Sequence, residues 1–151
     1  MRKILQDPNP LLHQISQPVD TIDSYIKDLV KEMLGLRSYR PYLGLSAVQL
    51  GELVRVIIIV QNGLNEHATP IVIVNPQIVK LSGKILQSQE GCLSVAHGRT
   101  LFMVRRHKIV KVRGLNLDGD PISSKEHGLL AYVLQHEVDH LEGKLISDVR
   151  S

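Results

Sequence analysis

Two histidines near the end of the chain, His136 and His140, are four positions apart, and Glu137 directly follows the first of them. Residues four apart share one face of an α-helix, so a helix here points both imidazoles at one metal ion, with Glu137 beside it. The alternative is a pair of solvated surface histidines. Because Leu129 and Val133 continue the same stripe, the pattern favours a buried, metal-binding face on a late helix.

The surrounding patterns predict an α+β fold, in which mostly antiparallel sheets pack around the late helix and a leading N-terminal helix precedes them. Apolar residues at helical spacing place the leading helix between Ile22 and Gly35, with Asp20 or Thr21 as its N-cap. Asp118-Gly119 is a hairpin turn signal. Strands are expected at residues 54–61, 70–74, 78–88 (a pair broken at 82–83), 101–103 and 108–117, a loop at 38–51, and the late helix from about 124 to 141.

Composition excludes several classes of protein. The length of 151 residues fits one domain. The longest apolar run, 129–134, is far shorter than the roughly 20 residues that span a membrane, and the N-terminal segment lacks the apolar stretch of a signal peptide. A single cysteine excludes an intrachain disulfide framework and is typical of a reducing compartment. The scarcity of aromatic residues argues against a surface that stacks nucleobases.

Positive charge is concentrated between Glu90 and Asp118, where the chain has no acidic residue. The alternation of Lys111 and Arg113 is typical of the solvated face of a strand. The other interpretation is a contact with RNA or with an acidic partner surface, and the sequence leaves both open. The basic residues of the stretch 99–113 are Arg99, Arg105, Arg106, Lys108, Lys111 and Arg113.

Two histidines do not complete a catalytic zinc-type centre, which usually has three protein ligands. Downstream, Glu142 is too close on the helix, and Ile146 occupies the position where some motifs of this kind have a third histidine. Upstream lies the only cysteine, Cys92, directly after Gly91. A lone cysteine is often a small buried hydrophobe, but its thiolate is a strong ligand, so Cys92 is a candidate for the third position.

A third segment, residues 44–51, has two glycines and several small residues that allow the backbone to approach a ligand closely. Within it, the amide of Gln49 suits a developing oxyanion. An ordinary turn between a helix and a strand is the alternative interpretation.

In this order, the three segments resemble the peptide deformylase family, whose motifs are GxGxAAxQ, EGCLS and HExDH. Residues 90–94 match the second motif at every position, and residues 136–140 match the third. The likeness runs from Ile4 to Asp148. Together, three motifs in register are far more specific than any one of them.

The chain also departs from the family pattern. Tyr42 stands where the first motif opens with glycine, Ser46 stands at the first of its paired alanines, and residues 95–98 replace a common Val-Pro-Gly. Many members continue into a C-terminal helix linked to ribosome docking. We expect this chain to be a short form without that extension.

The resemblance implies removal of the formyl group from the N-terminal formylmethionine of nascent polypeptides, with release of formate, by a single catalytic domain at 1–151. It implies one divalent metal ion per chain, ferrous iron, with zinc, nickel or cobalt as substitutes. The implied residues are Glu137, Gln49 and the Leu93 backbone N–H for catalysis, Cys92, His136 and His140 for the metal, and Leu43, Gly44, Arg99, Leu129, Tyr132 and Val133 for the substrate.

N-formyl-Met peptides are the implied partners, together with proximity to the ribosome through the basic stretch 99–113; the sequence sets no oligomeric state. The implied location is the cytoplasm, or an organellar stroma or matrix. Two alternatives stay open at this point. One is an HExxH zinc peptidase. The other is a non-catalytic binding protein with the deformylase fold, in which Tyr42 and Ser46 occlude the cleft.

Overall fold

The computed structural model describes residues 2–65 and 67–151, and it confirms an α+β fold built on one antiparallel sheet. The five strands lie side by side in chain order. They are β1 (Gly44–Ser46), β2 (Val56–Gln61), β3 (Thr69–Glu90), β4 (Phe102–Leu115) and β5 (Pro121–His127). The helices are α1 (Ser24–Gly35), α2 (Leu129–Leu141) and α3 (Ile146–Val149), with short 3-10 turns at Pro10–His13, Leu36–Ser38, Ala47–Leu50 and Ala96–Gly98.

The two longer helices pack on opposite faces of the sheet. Along β2, Ile58 packs with Leu29 and Met33 of α1, whereas Ile57 packs with Leu134 of α2. This follows from the two-residue period of a strand, which sends successive side chains to opposite faces. The β-branched run of β2 is therefore buried on both sides and forms the centre of the molecule.

Where the sequence predicts separate strands, β3 and β4 are continuous. Residues 70–74 and 78–88 belong to one strand of 22 residues. The predicted strands at 101–103 and 108–117 merge into one strand of 14 residues, Phe102–Leu115, which leaves 101, 116 and 117 outside it. The expected break at 82–83 is wrong because the pairing continues past it, with register shifts at Val74/Gln77, Ile78/Lys80 and Ser82/Ile85. Bulges of this kind absorb an extra residue without ending a strand.

The start of the late helix is also corrected. It begins at Leu129, not near 124, because residues 121–127 pair with β4 as β5. The Asp118-Gly119 hairpin turn is confirmed, since it joins these two strands. Gly128, at a φ of 62°, separates the strand from the helix. Leu129 is 59% exposed, so it does not extend the buried stripe of α2.

The leading helix is confirmed, with a different cap. It spans Ser24–Gly35, and the side chain of Asp23 accepts the Ile26 N–H at 3.1 Å, so neither Asp20 nor Thr21 is the N-cap. Residues 38–51, expected to be a loop, contain the short strand β1. No helix among the described residues is long and apolar enough to cross a membrane.

Candidate metal centre and catalytic cleft

Two elements bring the three candidate ligands together. Helix α2 carries His136 and His140 on one face, and Cys92 lies in the turn that follows β3. One donor atom from each of the three lies within 4.8 Å of the other two, and all three side chains are largely buried. The helical spacing of the two histidines and the position of Cys92 in the EGCLS segment thus place the three donor atoms around one point.

The distance between the thiol of Cys92 and the ring of His140 fits two ligands of one metal ion. Cys92 Sγ lies 3.4 Å from His140 Nε2. With metal–sulfur bonds of about 2.3 Å and metal–nitrogen bonds of about 2.0–2.1 Å, two tetrahedral donors lie about 3.6 Å apart.

Burial lowers the pKa of His140, and the positive charges of His136 and Arg106 lower it further. His140 is therefore neutral, which is the form that binds a metal.

A buried ion-pair network orients the first histidine. His136 Nδ1 donates to Glu90 Oε1 at 2.9 Å, which leaves Nε2 to face the candidate centre. Arg106 donates to both oxygens of Glu90, at 3.0 and 2.8 Å, and to Asp139 Oδ2 at 2.6 Å. Hydrogen bonds to the far side of a ligating histidine set its ring orientation and its basicity.

The charge state of Glu90 follows from the same contacts. Burial acts to raise its pKa, but the hydrogen bonds and charges of His136 and Arg106 outweigh burial and lower the pKa to about 2. Glu90 is therefore an ionised acceptor at neutral pH. The network ties β3, β4 and α2 together behind the candidate centre.

Glu137 lies beside the three donors without joining them. Its Oε2 accepts a hydrogen bond from Ser46 Oγ at 2.7 Å, whereas its Oε1 lies 4.0 Å from His136 Nε2. Burial raises the pKa of Glu137, and the positive charge of His136 and the Ser46 hydrogen bond oppose this. One carboxylate oxygen is thus held by Ser46, and the other faces the candidate centre.

Strand β1 passes close to Glu137, and glycine at position 44 makes this approach feasible. A Cβ on Gly44 would lie 2.5 Å from Glu137 Oε1 and 2.8 Å from Val133 Cγ1. Real Cβ atoms do not come this close to other heavy atoms, so any side chain here would displace the carboxylate. β1 is also the edge of the sheet, with β2 as its only partner strand among the described residues.

Two hydrogen-bond donors lie near the thiol. Gln49 Nε2 is 3.0 Å from Ser94 Oγ and 3.8 Å from Cys92 Sγ, and Gln49 Oε1 accepts the Ser46 N–H at 2.9 Å. The Leu93 carbonyl accepts from Gln6 Nε2 at 2.6 Å, and the Leu93 N–H makes no hydrogen bond with the described residues. Gln49 and Leu93 both line the cleft.

A cleft of about 260 Å³ opens beside these groups. Tyr42 is buried in its wall, and the Tyr42 hydroxyl donates to the Met33 carbonyl at 2.8 Å. Arg99 is not among the lining residues; it is exposed and follows Gly98, which does line the cleft, so its role at the mouth stays a prediction. Of the residues that the sequence assigned to the site, those lining the cleft are Leu43, Gly44, Gln49, Cys92, Leu93, Leu129, Tyr132, Val133, His136 and Glu137.

Sequence reasoning missed several supporting side chains. Glu90 and Ser94 lie inside the EGCLS segment but received no role of their own. Arg106 was counted among the exposed basic residues, although it falls two positions after Val104 on an alternating strand and points inward with it. The hydroxyl of Ser46 was treated only as a departure from the motif. Of these residues, only Arg106 could have been recognised from the sequence, because the alternation of a strand places it on the same inward face as Val104.

A buried thiol and two buried imidazoles around one point, with a carboxylate beside them in a cleft, define a metal-dependent hydrolase. The chemistry of this donor set suits a divalent metal ion that polarises a carbonyl group.

Comparison with known proteins narrows this class. The model of the polypeptide deformylase family matches residues 1–151. A peptide deformylase of Phenylobacterium zucineum is 39% identical and covers 98% of this chain and 86% of its own length. Structures of two peptide deformylases are also similar. The Legionella pneumophila enzyme has a TM-score of 0.91 at 38% identity, covering 100% of this chain and 86% of its own. A Met-Ala-Ser-bound enzyme of Acinetobacter baumannii has a TM-score of 0.89 at 30% identity, covering 99% and 98%. The chain belongs to the polypeptide deformylase family, which confirms the resemblance seen in the sequence.

Proposed function

We propose that this protein is a metal-dependent peptide deformylase, which hydrolyses the N-formyl group of N-terminal formylmethionine on nascent polypeptides and releases formate. The observation that carries this proposal is the cluster of Cys92, His136 and His140 with Glu137 beside it, in a chain that matches the family along its whole length. Neither the zinc peptidase nor the non-catalytic alternative is favoured by these findings.

We propose that Cys92, His136 and His140 hold one divalent metal ion. When bound, the ion supplies a Lewis acid and lowers the pKa of the attacking water. Ferrous iron is our proposal for the resident metal, with zinc, nickel or cobalt as substitutes, because imidazole and thiolate donors suit several of these ions. Elemental analysis of protein purified without oxygen should find about one iron per chain. Stoichiometric zinc without iron would contradict this choice of metal.

The side chains around the centre transfer the proton and stabilise the negative charge that develops on the substrate. Glu137 Oε1 faces the centre and accepts the proton of the attacking water, then delivers it to the leaving nitrogen. Ser46 holds the other oxygen of the carboxylate and so sets its direction. Gln49 Nε2 and the Leu93 N–H donate to the formyl oxygen as negative charge develops on it.

The substrate chain binds along the edge of the sheet. The Gly44 backbone on the edge strand β1 pairs with the substrate main chain as an added strand would. Leu43, Leu129, Tyr132 and Val133 provide apolar walls for an unbranched methionine side chain, and Arg99 stands near the mouth. The support for this assignment is that these residues, except Arg99, line the cleft together.

Three broader assignments complete the proposal. Residues 1–151 act as a single catalytic domain. The basic stretch 99–113 brings the protein near the ribosome, with Arg106 excluded because it is buried in ion pairs. The location is cytoplasmic, or an organellar stroma or matrix, and the support for this is a reduced cysteine placed as a metal ligand.

The function is tested by formate release from formyl-Met-Ala-Ser. We expect wild-type protein to release formate from this peptide, to leave acetyl-Met-Ala-Ser intact, and to cut no internal peptide bond of a longer unformylated peptide. Internal cleavage at a comparable rate would support the peptidase instead. Full metal loading without formate release would support the non-catalytic alternative.

A further inference from the structure

Three lysines on neighbouring strands form a row across the sheet. Lys80 of β3 pairs directly with Lys111 of β4, and Lys111 pairs directly with Lys125 of β5. Directly paired residues project from the same face, and neighbouring strands lie about 4.8 Å apart. All three lysines are exposed. Arg113 lies two positions from Lys111 on the same face and is exposed as well. We call these four residues the cation row.

Within the described residues, no direct ion pair compensates the charges of the cation row. Glu126 neighbours Lys125 but pairs with Val110, so it projects from the other face. Asp118 and Asp120 lie in the turn beyond Leu115, about 13 Å along the strand from Lys111, which exceeds the Debye length of about 8 Å at physiological salt. Arg113 lies nearer, about 7 Å along the strand from Leu115, so these two carboxylates screen Arg113 more than they screen the three lysines.

Like charges directly opposite each other destabilise a sheet, and this row contains two such pairs in succession. A solvated strand face needs only polar residues, and a mixture of both signs would serve it better. The uniform sign therefore needs a reason outside the stability of the sheet. A ligand with several regularly spaced negative charges supplies one, because it relieves the repulsion on binding.

The cation row and the cleft lie on opposite faces of the sheet. Val110 and Val112, which flank Lys111, pack against Ala131 and Leu134 of α2. Lys111 therefore projects away from α2, the helix that carries His136 and Glu137. A large ligand on the cation row leaves the cleft open to its substrate.

The surroundings of the row favour one kind of polyanion. Protein interfaces are enriched in aromatic residues and depleted in lysine, which is the reverse of this face. On the same face, Ser82, Ile109 and Ser123 are register neighbours of the row, and His127, which pairs with Ile109, is the single aromatic ring among these neighbours. One imidazole does not form the series of rings on which successive unpaired bases stack. Sequence-independent binding of duplex nucleic acid needs only cations that follow the phosphates.

We propose that the cation row of Lys80, Lys111, Lys125 and Arg113 binds the phosphate backbone of duplex RNA, independently of base sequence. The proposal does not depend on the deformylase assignment, because the row lies outside the cleft and its test measures RNA binding.

The test compares two triple variants of equal net charge. Lys80→Gln/Lys111→Gln/Lys125→Gln removes the lysines of the row, and Lys27→Gln/Lys31→Gln/Lys144→Gln removes three exposed lysines elsewhere. The probe is a labelled RNA duplex of about 20 base pairs and arbitrary sequence, titrated by fluorescence anisotropy between about 50 and 200 mM salt. Circular dichroism checks the fold of each variant, and formate release checks the cleft.

We expect wild-type binding to weaken with salt, and the row variant to lose at least about tenfold in affinity at the lowest salt. The slope of log K against log salt should fall by about 2 to 3 in the row variant and by less than about 1 in the control variant. Both variants should stay folded and keep formate release.

Several results would overturn the proposal. One is wild-type protein that does not bind the duplex. A second is a control variant that loses as much affinity as the row variant. A third is polyglutamate bound as tightly as RNA through the same lysines, which would assign the row to an acidic protein. The last is a row variant that loses binding to phosphatidylglycerol vesicles but keeps RNA binding, which would assign the cation row to a membrane surface.

Discussion

Gly44 is the position where the smallest added group would disturb the proposed chemistry most. A Cβ there would lie 2.5 Å from Glu137 Oε1 and 2.8 Å from Val133 Cγ1. We expect Gly44→Ala to turn the carboxylate away and to lower kcat by at least about 10²-fold, the contribution of a positioned acid–base group. Metal content should stay near wild type, because the three ligands lie on other segments.

The matched control is Gly35→Ala. Position 35 has no heavy atom within 4 Å of an added Cβ, so this variant should keep full activity. Formate release and elemental analysis of both variants check the expectation. A Gly44→Ala protein with wild-type kcat would show that β1 does not constrain Glu137.

Ser46 has a separate effect on the same carboxylate. Its hydroxyl donates to Glu137 Oε2 at 2.7 Å, and this bond favours the ionised form and so lowers the pKa of Glu137. Removing the hydroxyl in Ser46→Ala should raise that pKa. The ionised base then forms only at higher pH, so the acid limb of the kcat/KM profile should move to higher pH, with a loss of up to about tenfold below neutrality.

Ser123→Ala, which removes a hydroxyl on exposed β5, is the control and should leave the profile where it is. If the acid limb of Ser46→Ala also stays in place, the hydroxyl does not tune Glu137 and only fills space.

At the residue scale, the sequence predicted a side chain's placement when its neighbours were local in the chain. His136, Glu137 and His140 follow from helical spacing alone. The Ser46–Glu137 bond joins residues 91 positions apart, and Cys92 meets His140 across 48. Such contacts depend on tertiary packing. The incomplete histidine pair made Cys92 a candidate ligand, and the family resemblance strengthened that assignment.

At the scale of elements, Arg106 joins β4 to both β3 and α2. It is 5% exposed and pairs with Glu90 and Asp139. Arg106→Met should leave the Glu90 carboxylate buried with only His136 to balance it. We expect a loss of about 3 kcal/mol in the free energy of unfolding, typical of a broken buried ion pair, and metal affinity about 10- to 100-fold weaker.

Arg105→Met is the matched control, because Arg105 is the adjacent residue on the same strand and is exposed. It should change the free energy of unfolding by less than about 0.5 kcal/mol. Denaturant unfolding and metal titration of both variants make the comparison. Equal effects would mean that the buried network neither stabilises the fold nor orients His136.

The elements themselves were predicted unevenly. The helical periodicity of α1 and the β-branched run of β2 are strong local signals, and both elements were found. The sequence also predicted a strand break at 82–83 and the start of the late helix at about residue 124. In the structure, pairing with β4 carries β3 past Gly83 and draws 121–127 into β5. Strand pairing is a non-local interaction, so no local pattern reveals it.

For the whole molecule, the order of elements was sufficient to predict an α+β fold, because a block of strands followed by a long helix has few ways to bury its apolar faces. Which groups lie on each face of the sheet was not predictable from the sequence. The sheet carries the cleft on the side of α2, whereas the opposite side displays Lys80, Lys111 and Lys125. The sequence marked Lys111 and Arg113 as part of a basic stretch, and only the strand register brings Lys80 and Lys125 beside Lys111.

The proposed mechanism separates the residues that hold the metal from the residue that moves the proton. The most direct measurement is therefore metal content and formate release, determined together on Glu137→Gln and Cys92→Ala. Glu137→Gln, nearly isosteric, should keep about one metal per chain and lose roughly 10²–10⁴-fold in kcat. Cys92→Ala should lose most of its metal and its measurable activity. A Cys92→Ala protein with one tightly bound metal, or a Glu137→Gln protein with wild-type formate release, would contradict the account.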